Sequence, residues 1–321
     1  MANNRHTTLR HWVNNLFPKK PITLVPLCPD ASSRRYFRAI MPSQRVIVAD
    51  CSQETAVVNK MCDMTTHYLA LGLPVPIIHH EDAGLGYICL EDLGSTRLID
   101  RINACEASYF YNQALALLKP IRQLNQQTTG YNFDSALYWR EFDFFEQHYL
   151  NKWAKLKQNS ITNAWHSCYE KLIDAAKAQP QVGIHRDYHS QNLMVDAHNQ
   201  LSIIDFQDSA VGPLSYDVVS LLKDCYISWP KMQIQQWLAQ HYHDHIRDQW
   251  PMGINLWLES CNLMGLQRHI KALGTFAHKL HAGDWRYHGA LQRTENYIKN
   301  TLIDYPEFHR ISTWLQQLNK Q

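Results

Sequence analysis

Residues 185–192 read His185-Arg186-Asp187-Tyr188-His189-Ser190-Gln191-Asn192, a gapless match to H-R-D-x-x-x-x-N. This spacing suits phosphoryl transfer. Such a reaction needs an acceptor hydroxyl aligned and partly relieved of its proton, and metal ions to neutralise the polyphosphate. Asp187 offers the hydroxyl a carboxylate. Asn192 offers a metal a neutral oxygen without adding negative charge near the transferring group. Asp205 stands thirteen residues after Asn192, where the apolar run Ile203-Ile204 ends in Asp205-Phe206-Gln207-Asp208. A carboxylate at a strand end is a hard donor suited to magnesium, so Asp205 is expected to be the second metal ligand. Alone, either aspartate reads as well as a cap or turn residue. Their joint order, spacing and apolar flanks favour the chemical reading.

Outward from this stretch the chain divides in character. The runs 36–40 and 45–49 are rich in β-branched and aromatic residues and are separated by a turn-like Met-Pro-Ser-Gln, which predicts a hairpin. Apolar residues at 57, 58, 61, 64, 68 and 71 predict a helix over 54–71, ended by Gly72. A short buried strand is expected at 87–90. Long helical patterns follow at 109–124, 137–156, 167–178, 216–225, 231–248 and 256–278, and short β runs at 182–184 and 201–204 flank the 185–192 motif. The expected architecture is α+β, with a small β-rich lobe over 1–92 and a larger, mainly helical lobe over 93–321. Asp217, after Gly212-Pro213-Leu214-Ser215-Tyr216, is expected at a helix start, where it caps the helix or braces the motif.

Composition restricts the alternatives. Hydrophobic residues make up 45% and charged residues 19%, and the formal net charge is +2. That is an ordinary globular balance with no general drive toward nucleic acid or membrane. The eight cysteines are scattered without a C-x-x-C pair, which argues against a disulfide framework or a structural zinc site. No apolar h-region opens the chain and no run approaches ~18 apolar residues. A cytoplasmic protein, acting as a monomer on a small molecule, is expected.

The same residues carry a family resemblance. Asp30-Ala-Ser-Ser-Arg-Arg-Tyr-Phe-Arg38, Leu90-Glu-Asp-Leu-Gly94, the segments 185–194, 204–208 and 212–222, and Gly265-Leu-Gln-Arg-His-Ile-Lys-Ala-Leu-Gly-Thr-Phe-Ala277 occur in order. Together they resemble the aminoglycoside phosphotransferase and choline kinase group, which shares the bilobal protein-kinase-like fold. The first and last of these, with Asp-Tyr-His-Ser-x-Asn, look most like the N-acetylmuramate/N-acetylglucosamine anomeric kinase branch of peptidoglycan recycling. The resemblance implies Asp187 as base, Asn192 and Asp205 as magnesium ligands, and ATP as donor. It also implies a hinge at Leu90, Glu91, Asp92 and Leu93 that offers backbone groups to adenine.

Two departures stand out. The strand Val46-Ile-Val-Ala-Asp50 lacks the lysine that kinases use on the α/β-phosphates, and the loop from Cys28 to Arg34 has no G-x-G-x-x-G. Arg34, Arg35 and Arg38 are the candidate replacements, since arginine suits bidentate phosphate contact. Strand alternation puts Arg35 and Arg38 on opposite faces, so not all three can serve. On the acceptor side, Trp139 and Glu141 suit a sugar ring and its hydroxyls, though the aromatic run 138–145 also reads as packing. Asp208 is a further substrate candidate. Arg268 and Lys271, three apart on one helix face, could meet an acidic group such as a lactyl carboxylate. His241 and His245 share a helical face but lack a third ligand, so an exposed polar face is the expectation there. Another small hydroxyl acceptor (an aminoglycoside or choline), or a nucleotide-binding pseudokinase serving as an interaction module, remain the alternatives.

Overall fold

In the computed structural model, which describes residues 2–27, 34–156 and 159–318, the chain opens with helix α1 (Ala2–Leu16) and strand β1 (Thr23–Pro26). The predicted hairpin follows as β2 (Arg35–Met41) and β3 (Gln44–Asp50), paired antiparallel from Arg35↔Asp50 to Met41↔Gln44. After α2 (Ala56–Ala70), β4 (Ile78–Asp82) and β5 (Tyr87–Glu91) complete an antiparallel sheet of order β1-β2-β3-β5-β4. Alternation along β3 sends Val46 and Val48 to one face, where they pack with Phe37 and Ala39 against Leu9, Trp12 and Val13 of α1. Ala49, with Ile88 and Leu90, faces Val58 and Met61 of α2. Each face of the sheet is therefore closed by one helix.

Two compact units divide the chain: Met1–Arg97 with Leu193–Gln207, and Leu98–Asn192 with Asp208–Gln321. The first unit thus runs five residues beyond the expected boundary at 92 and also takes back the stretch after the motif. Within that stretch Leu193–Val195 and Leu201–Ile203 form a short hairpin. Two three-residue strands cannot bury both faces alone. The Val195 N–H donates to Thr96 O at 2.9 Å and the Ile203 N–H to Pro74 O at 2.7 Å, while Phe206 stacks on Tyr68 with ring centroids 4.6 Å apart.

The second unit is helical. Its elements are α3 (Leu98–Arg101), α4 (Ala107–Ile121), α5 (Gln126–Thr129), α6 (Ser135–Phe145), α7 (Asn159–Lys177), α8 (Tyr216–Leu222), α9 (Lys231–His241), α10 (Ile254–His281), α11 (His288–Leu302) and α12 (His309–Leu318). The 28-residue α10 is central and packs on α6, α7, α8 and α11. The patterns at 137–156 and 231–248 resolve into α6 and α9, each continuing into a wider π-helical segment, Glu146–Trp153 and Tyr242–Ile246. Helix α1 and the last two helices were not anticipated. No helix among the described residues is long and apolar enough to cross a membrane. The described cysteines are all free; Cys28 lies outside the described residues.

The strand Gln181–Ile184 pairs antiparallel with Ala210–Pro213 and leads directly into the motif. It passes so close to the end of α4 that a Cβ on Gly183 would lie 2.2 Å from Ile121 O and 2.6 Å from Leu124 Cβ. No side chain fits without moving backbone. Gly183→Ala is expected to cost about 2–3 kcal/mol, read as a lowered denaturation midpoint. An unchanged midpoint would mean that this strand can shift freely.

Candidate active site

The motif loop is held at both ends by carboxylates from one region. At its start the His185 and Arg186 N–H groups donate to Asp217 at 2.6 and 3.0 Å. Arg186 has φ +77°, a left-handed value uncommon outside glycine, and these two bonds hold it there. At the other end Ser190 donates from its N–H and Oγ to Asp224 Oδ2, at 3.0 and 2.5 Å. Asp217 lies in the first turn of α8 and Asp224 just past its end, two helical turns apart in sequence. Between them Tyr188 is buried and donates to Ala114 O of α4 at 2.7 Å. The Asn192 amide donates through Nδ2 to Asp187 O at 2.9 Å, which leaves its Oδ1 as the group able to meet a cation. Asp217 both opens its helix and braces the loop, as the sequence suggested. Asp224 was missed; its only signal in the sequence is an acid two residues past the apolar end of α8.

Around Asp187 the second unit assembles a compact charge cluster. Lys271 Nζ of α10 lies 3.5 Å from Asp187 Oδ1 and 3.9 Å from Glu141 Oε1 of α6. Arg186 Nη2 is also 3.9 Å from Glu141 Oε1, and Gln267 donates to Glu141 Oε2 at 2.9 Å. Two carboxylates thus face two cations. The Asp187 side chain stays 39% exposed, so a ligand can reach it. Crowding by protein pushes the Asp187 carboxyl up, but Lys271, then His189, Arg186 and Arg268, outweigh this and hold it below the ordinary carboxylate range. For Lys271, loss of water pushes downward, while Asp187, Tyr216 and Glu141 more than compensate, so the ammonium stays charged. An ionised, acceptor-only carboxylate is what receiving a hydroxyl proton requires.

The remaining acceptor-side candidates separate. Trp139 does not join this cluster. It sits among Phe142, His166 and Tyr169 at ring distances of 6.0–6.1 Å, in the packing between α6 and α7, because residues 139 and 141 fall on different helix faces. Arg268 is buried and points to Cys225 Sγ at 3.8 Å, so it does not accompany Lys271. The Asp208 carbonyl accepts from Tyr131 Oη at 3.0 Å. His241 is buried, not exposed as expected, with Nε2 2.8 Å from Arg122 Nη2. Only His243 and Asp244 face solvent there.

In the first unit Asp205 also has a left-handed backbone, φ +63°. Gln207 Nε2 donates to its Oδ1 at 2.8 Å, and Arg34 Nη2 lies 3.5 Å from the same oxygen. Gln207 thus orients the Asp205 carboxylate from two residues further on. Arg35 and Arg38 are committed elsewhere. Arg35 reaches Asp50 at 2.5 Å, directly across the hairpin, and Arg5 of α1 meets the same buried carboxylate at 2.9 Å. Arg38 grips Asp92 at 2.8 and 3.0 Å and Gly94 O at 2.7 Å. The acid on the lysine-free strand is therefore neutralised within its own unit. Leu90 and Glu91 lie in β5, with the Glu91 N–H bonded to Ile77 O at 2.8 Å, and Asp92 and Leu93 follow it. The loop 28–33 lies outside the described residues.

A small antiparallel sheet, a helical unit and an H-R-D-x-x-x-x-N loop with an ionised Asp define a phosphotransferase acting on a hydroxyl group. The chain belongs to the phosphotransferase enzyme family, whose model matches residues 23–250. It is 31% identical to an N-acetylmuramate/N-acetylglucosamine kinase of Pseudomonas putida, over 92% of this chain and 88% of that one. A kinase of the same description from Neisseria meningitidis is 27% identical over 98% and 96%. Among solved structures, a choline kinase from Streptococcus pneumoniae superposes with TM-score 0.67 at 16% identity, covering 94% of this chain and all of that one. These likenesses confirm the protein-kinase-like fold expected from the sequence.

Proposed function

We propose that this chain transfers the γ-phosphoryl group of ATP to the anomeric hydroxyl of N-acetylmuramate, and of N-acetylglucosamine, in the cytoplasmic recycling of cell-wall sugars. The observation that carries this reading is the Asp187–Lys271–Glu141 cluster, in a chain that matches kinases described for these two sugars over nearly its whole length. A hemiacetal hydroxyl is more acidic than an ordinary alcohol, so Asp187 needs only to align it and take its proton as the bond to phosphorus forms. Glu141 can accept from a second hydroxyl, and Lys271 can meet the lactyl carboxylate that N-acetylmuramate carries.

Asn192 and Asp205 fit magnesium: one amide oxygen and one carboxylate are hard donors, and magnesium takes its other ligands from nucleotide phosphate and water. The ion would neutralise charge on the polyphosphate. Arg34, the one arginine of the three that lies beside Asp205, is the proposed phosphate contact, and the backbone at Leu90, Glu91, Asp92 and Leu93 the proposed adenine contact. Choline and aminoglycosides fit less well, because the charges around Asp187 balance and leave no acidic excess for a cation.

Two measurements test the proposal. ATP consumption is expected with the two amino sugars and not with choline or aminoglycosides, with the product phosphorylated at its anomeric carbon by phosphorus NMR. Consumption with none of them, alongside ATP binding, would favour the interaction module. Lys271→Met is expected to raise KM for N-acetylmuramate about tenfold or more relative to N-acetylglucosamine, the loss of one charge-assisted contact. Equal damage with both sugars would assign Lys271 to Asp187 alone.

A further inference from the structure

A cavity of about 390 Å³ opens between α9, α10 and α11. None of its lining residues belongs to the Asp187 cluster. At its wall lies Lys223, 8% exposed, whose Nζ meets Asn262 Oδ1 at 2.8 Å and Cys261 O at 3.4 Å. Arg293, on α11, donates to Cys225 O at 2.9 Å. Among the described residues neither cation has a carboxylate within ion-pair distance. The nearest acid of the lining, Asp304, is engaged at the mouth by Lys231 at 2.8 Å. Burial lowers Lys223 to about 8.

The lysine's position is built rather than incidental. A Cβ on Gly265, in the middle of α10, would lie 2.9 Å from Lys223 Cδ. The helix keeps a residue costing ~1 kcal/mol relative to alanine, and the lysine stem crosses it to carry the ammonium inward. Along α11, Arg293, Asn296 and Asn300 recur at helical spacing and turn a polar stripe to the cavity. With Asp304 paired to Lys231, Lys223 and Arg293 leave two positive charges to match a dianion, and amide groups suit hydroxyls.

We infer that this cavity binds a small phosphorylated polyhydroxy metabolite, its phosphate between Lys223 and Arg293 and its hydroxyls on Asn262, Asn296 and Asn300. The volume lies at the low end of ligand pockets, about 300–1,000 Å³, which fits a monosaccharide phosphate. Lys223 directly precedes Asp224, the carboxylate that holds Ser190 of the motif loop, so an occupant would sit one residue from a brace of that loop.

Calorimetric titration of the whole protein tests this, with the nucleotide site saturated by a non-hydrolysable ATP analogue and magnesium. Glucose 6-phosphate is expected to bind saturably and more tightly than glucose. Lys223→Met and Arg293→Gln are each expected to weaken it about ten- to a hundredfold, one charge-assisted contact apiece. If Lys223→Met fails to fold, Arg293→Gln decides alone. Absence of saturable binding, equal affinity for glucose, or wild-type affinity in Arg293→Gln would each overturn the assignment.

Discussion

Asp187→Asn should lower kcat by about a hundred- to ten-thousandfold, the range in which a positioned proton acceptor contributes, while leaving nucleotide affinity essentially unchanged. The substitution keeps size and shape. Lys271 retains Glu141 as a partner, and the loop's braces at Asp217 and Asp224 do not involve the Asp187 side chain. What disappears is the charge that receives the hydroxyl proton. A pH profile gives a second readout. Asp187 is held below 3.8 by Lys271, so its acid limb in kcat/KM should lie below about pH 4, and any limb near neutrality belongs to another group. A variant with near-wild-type kcat would remove Asp187 from the chemistry, whatever its place in the fold.

How much of this was legible depends on how far apart the interacting residues stand. The hairpin over 36–49 was readable because period-two alternation and a Pro-containing turn are local signals, and α2 because its apolar spacing is helical. Helix α1 carries the same kind of signal, Leu9, Trp12 and Val13 at i, i+3 and i+4, but over a single turn and without a capping residue to mark it. The commitment of Arg35 was derivable too: a turn at Pro42-Ser43 sets residue 35 opposite residue 50. The Arg38–Asp92 pair, 54 residues apart, was not, nor was the return of 193–207 to the first unit, which rests on carbonyls at 74 and 96. For the candidate site, the motif marked Asp187, Asn192 and Asp205 as candidates by spacing. Lys271 and Glu141 come from helices far off in sequence, and only their residue types marked them. Trp139 and Glu141 looked alike in an aromatic run, and helix phase alone separates packing from cluster.

Asp217→Ala should be the most destabilising of the single substitutions, by about 2–4 kcal/mol. Its carboxylate accepts two loop N–H groups, and the His185 residue it serves is fully buried, so water cannot readily replace it. Each buried donor left unpaired costs about 1–3 kcal/mol. The sum is discounted because the acid is itself expensive to bury. Lost solvation raises the Asp217 carboxyl above its ordinary 3.8, and the His185 ring and the two N–H bonds only partly counter this. The sign follows: a raised native value means this group's contribution is full below 3.8 and declines as pH rises through the native value. The substitution should therefore cost less near neutral pH than at lower pH. Asp217→Asn separates shape from charge, since its amide nitrogen faces one of the two donors and only one bond can survive. Denaturation midpoints should fall in the order wild type, Asn, Ala, and kcat should fall with them as Arg186 loses the bonds that hold its left-handed backbone. An alanine variant with both the midpoint and kcat of the wild type would show that the loop keeps its shape without this brace.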